Sequence, residues 1–462
     1  FQGKNRIRSR RAMNWYRMSL LFKTTTMHYI RISMFLILSL RAYLGLNGQE
    51  SDQLKSYEVK ILESNLAKKA DAINVEIAKN NYTKGNAGLT PNVTLDAGDN
   101  VSYTANVNES ANGVTKNGFK LNNSISAGVF GNMTLYNGGR NQNLYERFKI
   151  LVDAADLNQR EISENLIYQV RSLYYQAIRQ KQLIKTTQVA IEYSRQRLQL
   201  ASNKLEIGTG NKVEVLQAQL DQNEYLTNIE NYKVALDNIS IQINTLMNLP
   251  TDTSIIISDT TFVLNNINKE EIMNSFTQRN VELMRNRINY ALALNKEADI
   301  RGLLKPTILG SLGYSYTRAD NGGGFFRVNS SNGLAGGVTI SIPIYDGKAI
   351  KSQIKNAELE TKQIELSRQN TEIQLLSNLE QYYRNYQNSI NLTKLQEDNV
   401  KNAEENISIG LARFQVGVTN GFEFKQIQQS YTDANFRYID ALYLAKSNEL
   451  ELLYLSGNIL NQ

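Results

Sequence analysis

The feature that most restricts how this chain can fold is an internal duplication held in unbroken register. Gly128-Val-Phe-Gly-Asn-Met-Thr-Leu-Tyr-Asn-Gly138 falls on Gly337-Val-Thr-Ile-Ser-Ile-Pro-Ile-Tyr-Asp-Gly347 at a shift of 337 − 128 = 209 residues. The same shift, 417 − 208 = 209, lays Gly208, Asn211, Glu214, Gln217 and Gln219 on Gly417, Asn420, Glu423, Gln426 and Gln428 with no gap. The segment between the two motifs therefore has the same length in both halves, and a length kept so strictly is set by geometry.

That segment reads as helix. Val170, Ala177, Ile184, Ile191, Leu198 and Leu205 recur every seventh residue, answered by Leu379, Tyr386, Thr393, Val400, Ile407 and Phe414. A sustained repeat of this kind marks a supercoiled helix packed on neighbours. Neither Gly nor Pro interrupts Arg140 to Glu206. About 65 residues at 1.5 Å each span ~100 Å, whereas the average globular helix has about a dozen residues. Gly208 and Gly210 stop this helix, and a second runs from Val213 to about Leu249, before Pro250. The second half turns at Gly417–Gly421 and runs to about Ser456.

Four segments alternate polar with apolar or aromatic residues: one from Pro91 through Val101, Tyr103 and Ala105, then Leu121 to Tyr136, Thr307 to Thr317, and Leu334 to Tyr345. Period-two alternation over ten or so residues is how a membrane β-strand reads. Loops are expected at Asn106–Asn117 and Asp320–Gly333, the latter containing Phe325 and Phe326, which read as a folded-back external loop. Single helices, about Leu54–Lys79 and Arg279–Leu304, enter the strand pairs. Each half thus reads helix, strand, loop, strand, very long helix, turn, helix, over residues 49–250 and 279–462, with a connector over 251–278.

The location of the charge removes the main support for a nucleic-acid partner. The formal net charge is +7, but residues 1–49 hold nine basic and no acidic side chains. The remainder carries 51 − 9 = 42 basic against 44 acidic residues, a net of −2, so the basic character belongs to the leader. Met27-His-Tyr-Ile-Arg followed by the apolar Ile32–Leu40 reads as an export signal, giving a leader over 1–48 cleaved near Gly48/Gln49. No cysteine follows that core to carry a lipid. His28 and Trp15 are the sole residues of their types, so the chain after the leader lacks His, Cys and Trp. Without the commonest general base and the readiest nucleophile, an enzyme is not expected, and no catalytic, cofactor-binding or metal-binding residues are assigned.

Four strands cannot close a barrel, and open sheet edges are not tolerated in hydrocarbon. The smallest bacterial barrels use eight strands, so several copies must share one. Helices far longer than a membrane is thick must then project away from it.

At this point the sequence resembles the TolC-like outer membrane efflux proteins. A strand ending Leu-Tyr-Asn-Gly-Gly139 or Pro-Ile-Tyr-Asp-Gly347 before a very long helix is similar to that family's Pro-Leu-Phe-Asp-Gly-Gly pattern. Arg413-Phe-Gln-Val-Gly-Val-Thr-Asn-Gly-Phe-Glu423 resembles its helix-tip signature, and Lys204-Leu-Glu-Ile-Gly-Thr-Gly-Asn-Lys-Val-Glu214 is a weaker twin. Glu214 and Glu423 stand where the family usually has Asp, Thr209 replaces the hydrophobic residue that Val418 supplies, and Thr134 replaces the proline kept as Pro343.

The resemblance implies a mixed fold: a homotrimeric, twelve-stranded β-barrel with four strands per chain, continued by a long coiled α-helical barrel. It implies a passive channel in the outer membrane of a Gram-negative bacterium, with a periplasmic helical extension. The channel would serve tripartite efflux or type I secretion with a periplasmic adaptor and an inner-membrane pump. The alternative is a trimeric, barrel-anchored coiled-coil surface protein of structural or adhesive kind. Helix reversal alone accounts for Gly208 and Gly417. The resemblance further implies adaptor contacts at Ile207, Gly208, Thr209, Gly210 and Asn211, and at Val416, Gly417, Val418, Thr419, Asn420 and Gly421. Candidate gating residues are Lys204, Glu214, Arg413, Glu423 and Lys425, with Glu423 in a polar network against a cation. Carboxylates in the first turn of a helix also suit its dipole. Tyr136, Gly138, Pro343, Tyr345 and Gly347 mark the strand-to-helix corners, where tyrosines suit a membrane interface.

Overall fold

A computed structural model describes residues 52–110, 113–322 and 327–460. The expected leader over 1–48, Phe325 and Phe326 lie outside the described residues. The element order is α1 (Asp52–Ser64), α2 (Leu66–Asn81), β1 (Asn92–Ser110), β2 (Gly113–Asn137), α3 (Arg140–Glu206) and α4 (Lys212–Leu246). It continues with α5 (Lys269–Arg279), α6 (Val281–Gly302), β3 (Thr307–Asn321), β4 (Val328–Ser341), α7 (Ala349–Gln415) and α8 (Gly421–Leu455).

The duplication is realised residue for residue. Helices α3 and α7 have 67 residues each and α4 and α8 have 35 each, and every boundary is displaced by 349 − 140 = 209. All six heptad residues of α7 are buried, Thr393 included, its hydroxyl donating to the Ser389 carbonyl. In α3 only Val170, Ala177 and Ile191 of the six are fully buried.

The strands form one antiparallel sheet in the order β1-β2-β3-β4. Chain order carries this sequence downward: α2 leads into β1, β2 into α3, α6 into β3 and β4 into α7. Helix α3 packs against α2 and α6, and α6 against α7. Below them α4 packs on α3, α3 on α8 and α8 on α7. Four helical columns therefore continue four strands: α2 over α4, then α3, then α6 over α8, then α7.

The stacked columns are spliced by asparagine. Asn65 caps α2 by accepting from the Lys68 N–H, and its amide donates to the Leu246 carbonyl at the end of α4, 3.0 Å away. Asn280 caps α6 through the Leu283 N–H and donates to the Leu455 carbonyl of α8 at 2.8 Å. Each side chain thus satisfies an orphan donor of one helix and an orphan acceptor of the other.

Several boundaries depart from the sequence reading. The single helix expected over Leu54–Lys79 is two helices, because Asn65 takes an extended conformation to act as cap. The connector contains helix α5. Most of the loop expected at Asn106–Asn117 is strand, since β1 and β2 stay paired up to Ser110 and Gly113. Strand β4 stops at Ser341 rather than Tyr345, because Ser341 already faces Thr307, the first residue of β3, and no described residue pairs with 342–345. Pro343 in that stretch has no N–H to offer.

Candidate functional site

The two helix reversals are built alike. Gly208 and Gly417 take φ values of +77° and +79°, which an L side chain adopts only at a cost. Around them the Thr209 N–H donates to the Lys204 carbonyl, and the Val418 N–H to the Arg413 carbonyl, each at 2.9 Å. Asn211 and Asn420 then cap the next helices, accepting from the backbone N–H of Glu214 and Glu423 at 2.8 and 2.9 Å. These glutamates sit at the third helical position, where a carboxylate complements the helix dipole.

Around this backbone frame the apolar side chains Ile207, Val416 and Val418 are strongly exposed, as are Val213 and Phe422 beside them. Thr209, Gly210 and Asn211 line the first turn, whereas Thr419 and Gly421 are buried. A side chain at Gly421 would overlap the Glu214 carboxylate, so the two tips touch at that point. Between them opens a cavity of about 420 Å³ lined in part by Arg197, Glu214, Gln217, Phe422 and Lys425.

The charges do not converge on Glu423. Among the described residues neither Glu423 nor Arg413 makes an ion pair, and both are exposed. Lys204 lies over the Phe414 ring, 4.8 Å from its centroid, and Phe414 stacks on Phe424 at 5.1 Å. Lys425 reaches Asp221 at 2.8 Å, where Arg197 also donates and Gln217 adds a hydrogen bond at 2.9 Å. Asp221 is buried, with 7% of its surface exposed. Burial pushes its carboxyl up, but hydrogen bonds from Lys425, Arg197 and Gln217 outweigh that and hold it below the usual carboxylate range.

Sequence reasoning missed Arg197 and Asp221, although a signal existed. They lie 208 − 197 = 11 and 221 − 208 = 13 residues from the reversal. Positions nearly equidistant from a hairpin turn face each other.

At the opposite end, the side chains of Asn137 and Asp346, two residues before the N-caps Gly139 and Lys348 of α3 and α7, accept from the first-turn N–H of Asn141 and Ile350. Gly138 (φ +76°) and Gly347 (φ +70°) turn the corner, with Lys348 also left-handed. Gly138 passes so close to Gly302 that any side chain would strike its carbonyl. Tyr136 is paired within the sheet, while Tyr345 and Ile344, following Pro343, are 82% and 96% exposed.

A sheet of four strands, four columns of helix and two capped tips is now in place, and sequence comparison decides the family. The outer membrane efflux protein profile matches residues 59–249 and 274–458, most of the chain.

The chain belongs to the outer membrane efflux protein family.

As a member it is an outer membrane channel component of an export system, with its helical columns extending into the periplasm. Solved channels share its fold. The outer-membrane channel OprN superposes with a TM-score of 0.76 at 15% identity, covering 88% of this chain and 90% of that one. VceC of Vibrio cholerae gives 0.73 at 15% identity, covering 88% and 96%. The open state of MtrE from Neisseria gonorrhoeae gives 0.71 at 15% identity, covering 88% and 89%. No curated protein is significantly similar in sequence. Among the described residues of this efflux protein, no helix is long and apolar enough to cross a membrane.

Proposed function

We propose that three copies of this chain close one continuous duct, which exports cargo handed over by an inner-membrane pump through a periplasmic adaptor. The carrying observation is that both flanks of the protomer are unfinished along their whole length. On one flank β1 is an open edge, and Val59, Leu66 and Ile73 of α1 and α2 and Val213, Leu220, Val234 and Ile241 of α4 form exposed stripes at heptad spacing. On the other flank β4 is open, and α7 exposes Leu359, Leu366 and Ile373 at the same spacing. Each stripe matches the seam of a supercoiled pair and has no partner helix among the described residues of the protomer. Repeating one heterologous contact around an axis closes a ring and buries every edge.

In this reading residues 49–250 and 279–462 are the two repeats, joined outside the columns by 251–278. The exposed Ile207, Val416, Val418 and Phe422 receive the adaptor. Exposed Arg413 and Glu423 face that partner, Glu214 seats the first tip against the second, and Lys425, bound to Asp221, controls the mouth together with Lys204. Cargo is chosen by the pump, so small molecules and proteins are both compatible with the duct.

Light scattering on the detergent-solubilised protein tests the assembly. A trimeric mass is expected, with ion conduction in planar bilayers. A monomer that stays in solution without detergent would sink the proposal.

A further inference from the structure

The two hairpins of the sheet are copies of each other, residue for residue. Strand β1 maps onto β3 at a shift of 307 − 92 = 215, and β2 onto β4 at 341 − 132 = 209. The pair Asn92–Asn132 then falls on Thr307–Ser341, and Asn100–Ser124 on Ser315–Gly333. The remaining pairing, β2 with β3, joins the two copies inside one protomer. The same shifts turn β2 into β4 and β3 into β1, the two open edges of the sheet. The β2–β3 register is therefore a template for joining β4 to β1 of a second copy, a step that rests on the ring closure proposed above.

One segment of the protomer is left unfinished in a way this template explains. Strand β2 runs 137 − 132 = 5 residues past Asn132, the last residue that faces β1. Met133-Thr-Leu-Tyr-Asn137 stays in the sheet because β3 pairs with it. The equivalent Ile342-Pro-Ile-Tyr-Asp346 follows β4 with the same apolar pattern, yet its backbone is irregular. Ile342, Ile344 and Tyr345 are 58%, 96% and 82% exposed. What these residues lack is the neighbour that β3 gives to β2. Free N–H and C=O groups beside such side chains are not tolerated where a sheet meets hydrocarbon.

Adding 209 to β2 and subtracting 215 from β3 fixes each contact. Asn132–Ser311 becomes Ser341 with the partner subunit's Asp96, and Gly131–Leu312 becomes Ile340 with the partner subunit's Ala97. Met133–Gly310 becomes Ile342 with the partner subunit's Leu95. The register shift between Thr134 and Tyr136 carries over as a bulge at Ile344, after which Tyr136–Ile308 becomes Tyr345 with the partner subunit's Val93. Pro343 falls beside that bulge, where a strand tolerates a residue with no N–H.

Side-chain polarity supports the same register independently. Facing residues of paired strands lie on one side of the sheet. One side carries rows such as Leu95, Val129, Tyr314 and Leu334, the other rows such as Asp96, Gly128, Ser315 and Gly333. The copied register sets Ile340, Ile342 and Tyr345 on the apolar side and Ser341 on the polar one. A slip of one residue would set Ile340 against the partner subunit's Asp96 or the partner subunit's Gly98 and turn every side chain to the wrong side. Without the bulge, Tyr345 would fall on the polar side.

We infer that residues 342–346 of each protomer complete strand β4 on β1 of the partner subunit, with Ser341 facing Asp96 of the partner subunit and a bulge at Ile344. The junction between β4 and α7 becomes strand only when the ring closes. The contact that fixes where α3 starts below β2 then also fixes where α7 starts below β4.

The chain has no cysteine, so introduced pairs report cleanly. Facing residues of antiparallel strands lie about 4.5–5.5 Å apart at Cα, within reach of a disulfide, whereas residues two places along are about 7–8 Å away. Three double variants carry Ser341→Cys with Asp96→Cys, with Thr94→Cys or with Gly98→Cys. A fourth carries Ile340→Cys with Ala97→Cys, because adjacent pairs alternate in spacing. Oxidation of the detergent-solubilised protein is expected to give covalent trimers on denaturing gels from the 341/96 or the 340/97 variant, and none from 341/94 or 341/98. Hydrogen exchange on the unsubstituted trimer gives a second reading that needs no variant. The amides of 342–346 are expected to exchange as slowly as those of 133–137, and faster once the trimer is dissociated. Light scattering on the unsubstituted protein separates the two hypotheses, since a monomer refutes ring closure. A trimer that links 341 to 94 or 98, that links neither expected pair, or that exchanges 342–346 as fast as the dissociated chain refutes the register.

Discussion

Lys425 Nζ lies 2.8 Å from Asp221 Oδ1, so the second hairpin of the protomer is tied to the first by a carboxylate that Arg197 also binds. Asp221 is the member both cations share, and its loss affects three helices together.

Asp221→Asn leaves Arg197, itself only 2% exposed, without its anion. Stranding one member of a buried pair costs about 3–5 kcal/mol. Chemical denaturation of the assembled protein is expected to show a loss of that order, with larger channel conductance. Ser430→Ala, at the repeat-related exposed position, is expected to change neither.

Acid is expected to act at the same place. The Asp221 carboxyl titrates below its ordinary value in the folded protein. Its contribution is therefore complete above the unfolded-state value and is lost as pH falls through the depressed folded value. Conductance should rise reversibly as pH is lowered below the ordinary carboxylate range. In Asp221→Asn that rise should be absent, which bilayer recordings across pH would show.

The corner glycines separate backbone strain from collision. Gly347→Ala meets no atom within 4 Å, so only its φ of +70° is penalised, by about 1–2 kcal/mol. Gly138→Ala carries the same penalty and also strikes the Gly302 carbonyl. Thermal unfolding is expected to rank Gly138→Ala well below Gly347→Ala, and equal melting temperatures would contradict the close crossing.

Asn280→Ala should cost more than Asn65→Ala. Both remove a cap worth about 0.5–2 kcal/mol and free a helix-end carbonyl, but Asn280 is buried and Asn65 half-buried. Hydrogen exchange at the ends of α4 and α8 would localise the two losses.

Leu366 is 57% exposed in the protomer, where a surface substitution typically changes stability by no more than about 0.5 kcal/mol. Leu366→Arg is expected to leave helix content intact by circular dichroism and to abolish the trimer in light scattering.

Much of this protein was legible in the chain because its elements are long and repeated. The gap-free stretch from Arg140 to Glu206 set a helix whose ends the structure reproduces, since no residue in it can break the backbone pattern and Gly208 stops it. The alternation in β3 and the tip glycines were readable for the same local reason. Asn65 was not: an asparagine inside an apolar pattern reads as a helical surface residue, and only the arrival of the Leu246 carbonyl, 181 positions away, makes it a cap and a splice.

The tip charges show the same division. That Glu214 and Glu423 stand in the first turn of their helices follows from neighbouring residues, because the Asn caps and the turns are local. Which cation meets which anion was decided by tertiary structure alone. Lys425 passes over the nearby Glu423 to reach Asp221, because packing α3, α4 and α8 together buries one carboxylate and leaves the other in water. Local pattern fixes the backbone, whereas burial, which depends on neighbours distant in sequence, selects the charges that must pair.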